Sequence, residues 1–199
     1  MEMYKKTIFT LQIAENVIKV ISQCSIEQVS FELISAATNI SVSTIIDNFE
    51  SLNNLIAFCL TLSFDSLARN LSIDVEKIPY KMNSIEAFWI TLVEFNTIYS
   101  YKGRLIAAYL KAPASYPLVN VKYCLAKSIN YKFEKTDHIL KQYNGDIRFI
   151  AFAYLFQMAS KVSIDIPNSI EKYGQDFVSD FYNKHIAEGL IRFTKLPIS

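Results

Sequence analysis

Residues 30–55 read SFELISAATNISVSTIIDNFESLNNL, and this stretch decides the fold. Ser30 is placed to cap a short helix whose apolar face is Leu33, Ile34 and Ala37. Asn39 then interrupts, and asparagine tolerates the left-handed conformation that ends helices better than most residues. Ser41 is placed to cap a second short helix running to about Asn48. Phe49 follows, and a longer helix from Ser51 to about Asn70 carries Leu52, Leu55, Ile56, Phe58, Cys59, Leu62 and Leu67. Two short helices joined by a tight turn, followed by a supporting helix, are the pattern of a helix-turn-helix.

Upstream, Ile8, Leu11, Ile13, Ala14, Val17, Ile18 and Ile21 recur at helical spacing and predict a first helix over Thr7–Ser22. Ser25-Ile26-Glu27-Gln28 has the form of a capping box. Downstream, Asp74–Asn83, with Pro79, reads as a linker where the composition shifts. Helical patterns resume over Ser84–Ser100, Gly103–Lys111, Leu118–Lys132, Asp146–Val162 and Asn168–Phe193, with Pro113, Pro117 and Pro167 between them. Only Ile78–Met82 hints at a strand, and nothing is available to pair with it. The expected fold is all-α, with a three-helix head over residues 1–50 and a larger helical domain over residues 51–199.

Composition narrows the functions available. Of 199 residues, 51% are apolar and 20% charged, which leaves ample material for a core. The net charge of +1 selects no partner. The four glycines, Gly103, Gly145, Gly174 and Gly189, lie too far apart to build a phosphate-cradling loop. Cys24, Cys59 and Cys124 form no CxxC pair, and His138 and His185 are the only histidines, so neither zinc spacing nor a disulfide framework is present. Neither histidine has a nucleophile in a recognisable elbow. No catalytic residue, metal or cofactor is expected. Thr7–Ile18 contains Gln12 and Glu15 and does not resemble a signal peptide. Apolar runs such as Phe149–Phe156 stop well short of the ~18 residues that span a bilayer. A soluble, cytoplasmic protein without membrane contact is expected.

Within residues 30–55, Ser30, Ile34, Ile40, Ser41, Thr44, Ile45, Phe49, Ser51 and Leu55 occupy in register the places of a known pattern. The pattern is a Thr or Ser opening the second helix, an Ile-Ala pair, Ala-Gly-Val-Ser at the turn, Gly-Thr-Leu-Tyr entering the recognition helix, then a Phe and Ser-Lys-x-x-Leu. In this the chain resembles the TetR family of transcriptional regulators. Chain length, the preceding helix and the all-helical remainder also fit. The resemblance implies a homodimer that binds double-stranded DNA through its heads and a small apolar or amphipathic ligand among the middle helices of its larger domain. It implies DNA contacts from Ser30, Ser41, Ser43, Thr44 and Asn48, with Lys5 and Lys6 in a terminal arm.

Several positions depart from the pattern. Asn39 stands for Gly, and Ser35 and Ser43 for small residues. Ile46 stands where the family has a Tyr that reaches a phosphate, Leu52 replaces a backbone-contacting Lys, and Asp47 and Asn48 replace aromatic or basic residues. From Ile26 to Leu55 there is no Lys or Arg, against Glu27, Glu32, Asp47 and Glu50. DNA affinity rests mainly on cations meeting phosphates, so contacts from hydroxyls and helix-end amides alone would be weak.

Basic residues concentrate instead in Tyr101–Arg148, nine against three acidic. Aromatics are dense after the linker, with Phe88, Trp89, Phe95, Tyr99, Tyr101, Tyr109, Tyr116 and Tyr123, and Glu94, Asn96 and Arg104 are the polar candidates there. Aromatic walls with a few polar groups are how small-molecule pockets are built. With the family's cavity in mind, the ligand set is Phe58, Leu62, Trp89, Glu94, Phe95, Asn96, Tyr99, Arg104, Tyr109 and Tyr123. Asp146–Val162 is apolar nearly all round, and Asn168–Phe193 is rich in large apolar residues. A four-helix interface between two copies is expected through Phe152, Phe156, Phe177, Phe181, Ile186 and Leu190. The leading expectation is a ligand-responsive transcriptional regulator. The alternative is a protein of the same fold that has lost DNA binding and acts as a small-molecule or lipid carrier or a protein-interaction module.

Overall fold

The computed structural model describes residues 2–73, 84–112, 115–116, 145–165 and 180–186. The described residues are helical, without a strand. The helices are α1 (Glu2–Ile21), α2 (Phe31–Thr38), α3 (Val42–Phe49), α4 (Leu52–Ile73), α5 (Ser84–Ile98), α6 (Ser100–Lys111) and α7 (Gly145–Asp165). A single 3-10 turn, Ile26–Gln28, precedes α2, and a π-helical turn, Tyr182–Ile186, lies near the C-terminal end. The helix expected over residues 118–132, residues 168–179 and 187–193 of the last expected helix, the linker at 74–83 and the strand hint at 78–82 lie outside the described residues. No single helix among the described residues is long and apolar enough to cross a membrane.

The chain divides into two compact units, and not at residue 50. The first comprises Met1–Asp65 together with Tyr101–Asn120; the second comprises Ser66–Ser100 and Val121–Ser199. Residues 1–50 fall in the first unit together with α4 up to Asp65 and all but the first residue of α6. Lys102 explains part of this grouping. Its ammonium reaches the Glu15 carboxylate of α1 at 2.6 Å, with the lysine side chain only 12% exposed. An ion pair with one partner so covered ties α6 to α1 across 87 residues of sequence.

In the first unit, Ile13, Ala14, Val17, Ile18 and Ile21 recur at three- and four-residue intervals along α1, and all are buried. Ile34 of α2, Ile45 and Phe49 of α3, and Leu55, Ile56, Cys59 and Leu60 of α4 are buried in the same unit. The Cys59 thiol donates to the Ala14 carbonyl oxygen at 3.7 Å. Burial, and then the nearby Glu15 carboxylate, push it well above its ordinary value, so it remains a protonated core group.

Two corners set the direction of α3. At the first, Asn39 is left-handed (φ 57°, ψ 28°) and ends α2 as the sequence predicts. At the second, Glu50 has φ 64° and ψ −43°. Its N–H reaches the Ile46 carbonyl, and the Ser51 N–H bonds back to the Phe49 carbonyl, both at 2.7 Å. This is the geometry of the rare, strained γ-turn with positive φ, and it bends α3 from α4 by 70°. Ser51 then caps α4, its hydroxyl accepting from the Asn54 N–H at 3.1 Å.

In the second unit α5 is the central helix. Phe88, Trp89, Ile90, Thr91, Leu92, Val93, Phe95 and Asn96 are all buried. α7 packs along it through Phe152, Leu155, Phe156 and Ala159. Ring pairs Phe88–Phe152 and Phe95–Phe156 join the two helices at centroid distances of 6.4 and 6.3 Å.

The Glu50 corner makes a prediction. A strained positive-φ residue costs about 1–3 kcal/mol, against about 0.5–1 kcal/mol for a glycine's extra unfolded freedom. Glu50→Gly is expected to raise the melting temperature by about 2–4 °C, while Glu50→Val lowers it. Thermal unfolding followed by circular dichroism checks this, and a loss of stability in Glu50→Gly would refute the strained geometry.

Candidate nucleic-acid interface and ligand site

The exposed side of α2 and α3 is built by caps. The Ser30 hydroxyl accepts from the Leu33 N–H, and the Ser41 hydroxyl from the Thr44 N–H, both at 3.1 Å. Ser43 and Thr44 gather on Ser41, with oxygen–oxygen distances of 2.9 and 2.7 Å. Three hydroxyls thus share one hydrogen-bonded cluster at the start of α3. A hydroxyl that accepts from an amide still carries its own hydrogen, and Ser30 turns that hydrogen towards the Glu32 carboxylate.

The charge around these hydroxyls is negative. Glu27, Glu32, Asp47 and Glu50 are exposed. For Glu32, its own backbone N–H and then the Ser30 hydroxyl hold the carboxyl below its usual range. Leu33 and Ile46 are exposed apolar residues here, Ile46 at 39%.

Asn48 is half-buried and already bonded within the chain. Its side-chain oxygen accepts from the Thr10 hydroxyl of α1 at 2.9 Å, and its amide donates to the Thr44 carbonyl at 2.8 Å. Both ends of the side chain tie α3 to its own unit. Lys5 and Lys6 are relocated, because α1 reaches back to Glu2 and they sit within a helix rather than an extended arm.

The expected ligand residues are divided between the units. Phe58, Leu62, Arg104 and Tyr109 belong to the first. There Phe58 lies against Phe49 at 5.5 Å, Tyr109 against Phe64 at 5.7 Å, and Arg104 is exposed. Trp89, Glu94, Phe95, Asn96 and Tyr99 belong to the second, where α5 carries all of them but Tyr99, which follows its last turn. Tyr123 lies outside the described residues. Asn96 stands out. It is 3% exposed; its amide donates to the Leu92 carbonyl at 2.8 Å, and its side-chain oxygen has no partner among the described residues. A buried acceptor without a donor costs about 1–3 kcal/mol, and such exceptions mark sites where something else supplies the bond.

Three expected dimer residues are corrected by burial. Phe152 and Phe156 pack on each other at 5.8 Å inside the second unit, and Ile186 is fully buried. They serve the chain's own core and do not face outward. Phe181 stacks on Trp89 at 6.4 Å with the rings 7° from parallel. Phe177 and Leu190 lie outside the described residues. Among the described side chains of α7, Ile150 is an exposed large apolar residue, at 51%. Among the described residues, no three His, Cys, Asp or Glu side chains form a group that could hold a metal.

Two outcomes are expected. Ser30→Ala removes a cap and costs about 1 kcal/mol; NMR titration then shows the Glu32 pKa moving up towards its ordinary value. Because that pKa is depressed in the fold, the stabilising contribution of Glu32 is present above the ordinary carboxylate range and fades as pH falls through the folded value. Asn96→Leu removes the orphaned acceptor while keeping shape, so thermal unfolding of the ligand-free protein shows stability unchanged or raised. A marked loss would mean the oxygen already has a donor.

Comparisons with protein-family models, with curated proteins and with solved structures found no match for this chain.

Proposed function

We propose that the chain is a TetR-like, ligand-responsive transcriptional regulator that binds double-stranded DNA as a homodimer. The observation that carries this reading is the α2–turn–α3 unit. Its apolar residues Ile34, Ile45 and Phe49 are buried, and its hydroxyls Ser41, Ser43 and Thr44 cluster at the N-terminal end of α3. In a helix-turn-helix the N-terminal residues of the second helix meet base edges. Ser43 and Thr44 take that role, and Ser30 turns its hydrogen from Glu32 to a phosphate. The helix-end dipole adds attraction for phosphate oxygens. Two heads must then match half-sites about 34–36 Å apart, so a small pivot of either head switches binding off. The unpartnered Asn96 oxygen on α5 supports a ligand with a hydrogen-bond donor, bound among aromatic side chains.

The alternative is supported by charge. With four carboxylates and no cation from Ile26 to Leu55, and with Asn48 held internally, the same face suits a carrier or a protein-interaction module of this fold that no longer meets DNA.

One experiment separates the readings. Ile46 is exposed on α3, where an added cation would meet a phosphate. Ile46→Lys is expected to tighten binding on every sequence and to steepen the slope of log K against log salt by about 0.9. Sequence preference stays the same, since phosphate contacts carry no base information. Thr44→Ala weakens the preferred site more than scrambled DNA. Salt titrations of these variants on a selected and a scrambled duplex check this. No detectable binding by wild type at low salt, and no gain in Ile46→Lys, would favour the alternative.

A further inference from the structure

The first unit contains a cleft of about 330 Å³ lined by Ile26, Glu27, Leu52, Asn53, Ile56, Ser115 and Tyr116. Neither the α3 hydroxyls nor the α5 residues discussed above take part in it. We propose that this cleft binds a small organic cation, an ammonium group carrying a short apolar chain, independently of any DNA or ligand role assigned above.

The lining selects that chemistry. Ile26, Leu52 and Ile56 supply an apolar wall, Ile56 being buried. Asn53, Ser115 and Tyr116 supply hydrogen-bonding groups. Among the described lining residues, Glu27 is the one that is formally charged. Its own backbone N–H, and then the Ser25 hydroxyl, keep its carboxyl below the usual range, so it is anionic at neutral pH. Tyr116 brings an aromatic ring to the lining, and aromatic faces attract cations. It is braced edge-on by Tyr109 at 5.7 Å, which is braced in turn by Phe64 at 5.7 Å. The start of α4 also borders the cleft, and a helix start ordinarily favours anions. Here the Asn54 N–H is already bound by the Ser51 hydroxyl and the Leu55 N–H by the Ser51 carbonyl. The Asn54 cap reduces that competing attraction in part, and the Glu27 carboxylate sets the preferred charge.

The position gives occupancy a consequence. Ile26 and Glu27 form the turn that leads into α2, Leu52 and Asn53 open the helix that follows α3, and Ser115 and Tyr116 follow α6. A bound cation touches the chain on both sides of the α2–turn–α3 unit and fixes its approach and exit together.

The test uses the full chain with n-hexylammonium, n-hexanol and hexanoate as probes, followed by amide chemical shifts at Asn53, Ser115 and Tyr116. Saturable shifts are expected with hexylammonium, weaker ones with hexanol and the weakest with hexanoate. Glu27 is exposed, so Glu27→Gln keeps the fold, verified by an unchanged melting temperature, and weakens hexylammonium by about fivefold. Tyr116→Leu weakens it as well, while Tyr116→Phe retains most binding because the ring is kept. Hexanoate binding as well as hexylammonium, an unchanged affinity in Glu27→Gln, or no saturable shift with any probe would overturn the proposal. Because no DNA is present, these outcomes do not depend on whether the chain is a regulator.

Discussion

α3 is eight residues long, too short to persist alone in water. It exists because Ile45 and Phe49 are withdrawn into the core that α1, α2 and α4 share, and because both of its ends are held. Ser41 caps the start, the Asn48 side chain is tied to α1, and the Glu50 γ-turn closes the end. Remove that burial and α2 loses its neighbour, α4 loses its entry angle, and the hydroxyl cluster disperses. The outward face of α3 is consequently a by-product of inward packing: with the apolar positions committed, Ser43, Ile46 and Asp47 have nowhere to go but out.

That division of labour explains how a chain can keep this architecture while its surface changes sign. The residues that determine the local fold are apolar or cap-forming, and none requires a cation. The residues that would anchor a phosphate are exposed and contribute little to folding. An acidic head of this shape is therefore physically consistent, and on the proposed reading it would make fewer contacts to DNA than a basic head. Glu32 illustrates the point, since its charge favours the start of α2 through the dipole while opposing a nearby phosphate.

The short elements are legible in the sequence where side chains carry local rules. Ser30 and Ser41 announce helix starts and Asn39 a helix end, and the structure places all three accordingly. The Glu50 corner is hidden because glutamate has no preference for positive φ; burial of Phe49 on one side and the start of α4 on the other impose it. The association of α6 with α1 is hidden because the Lys102–Glu15 pair joins residues far apart in sequence. Phe152 and Phe156 are misread because an apolar helix has the same pattern whether covered by its own chain or by a second copy, and α5 covers it here. The tie of Asn48 to α1 is hidden because spacing does not reveal that Thr10 stands beside it. Asn96 is legible as a polar residue in an aromatic stretch; that its oxygen lacks a donor requires coordinates.

The measurement that bears most directly on the central claim is an amide chemical-shift map of the full chain titrated with duplex DNA at low and at moderate salt. The account predicts shifts at Ser30 and across Ser41–Thr44, fading as salt rises, with Glu27 and Tyr116 unmoved. Shifts confined to the basic stretch Tyr101–Lys111, or none at the lowest salt, would contradict it.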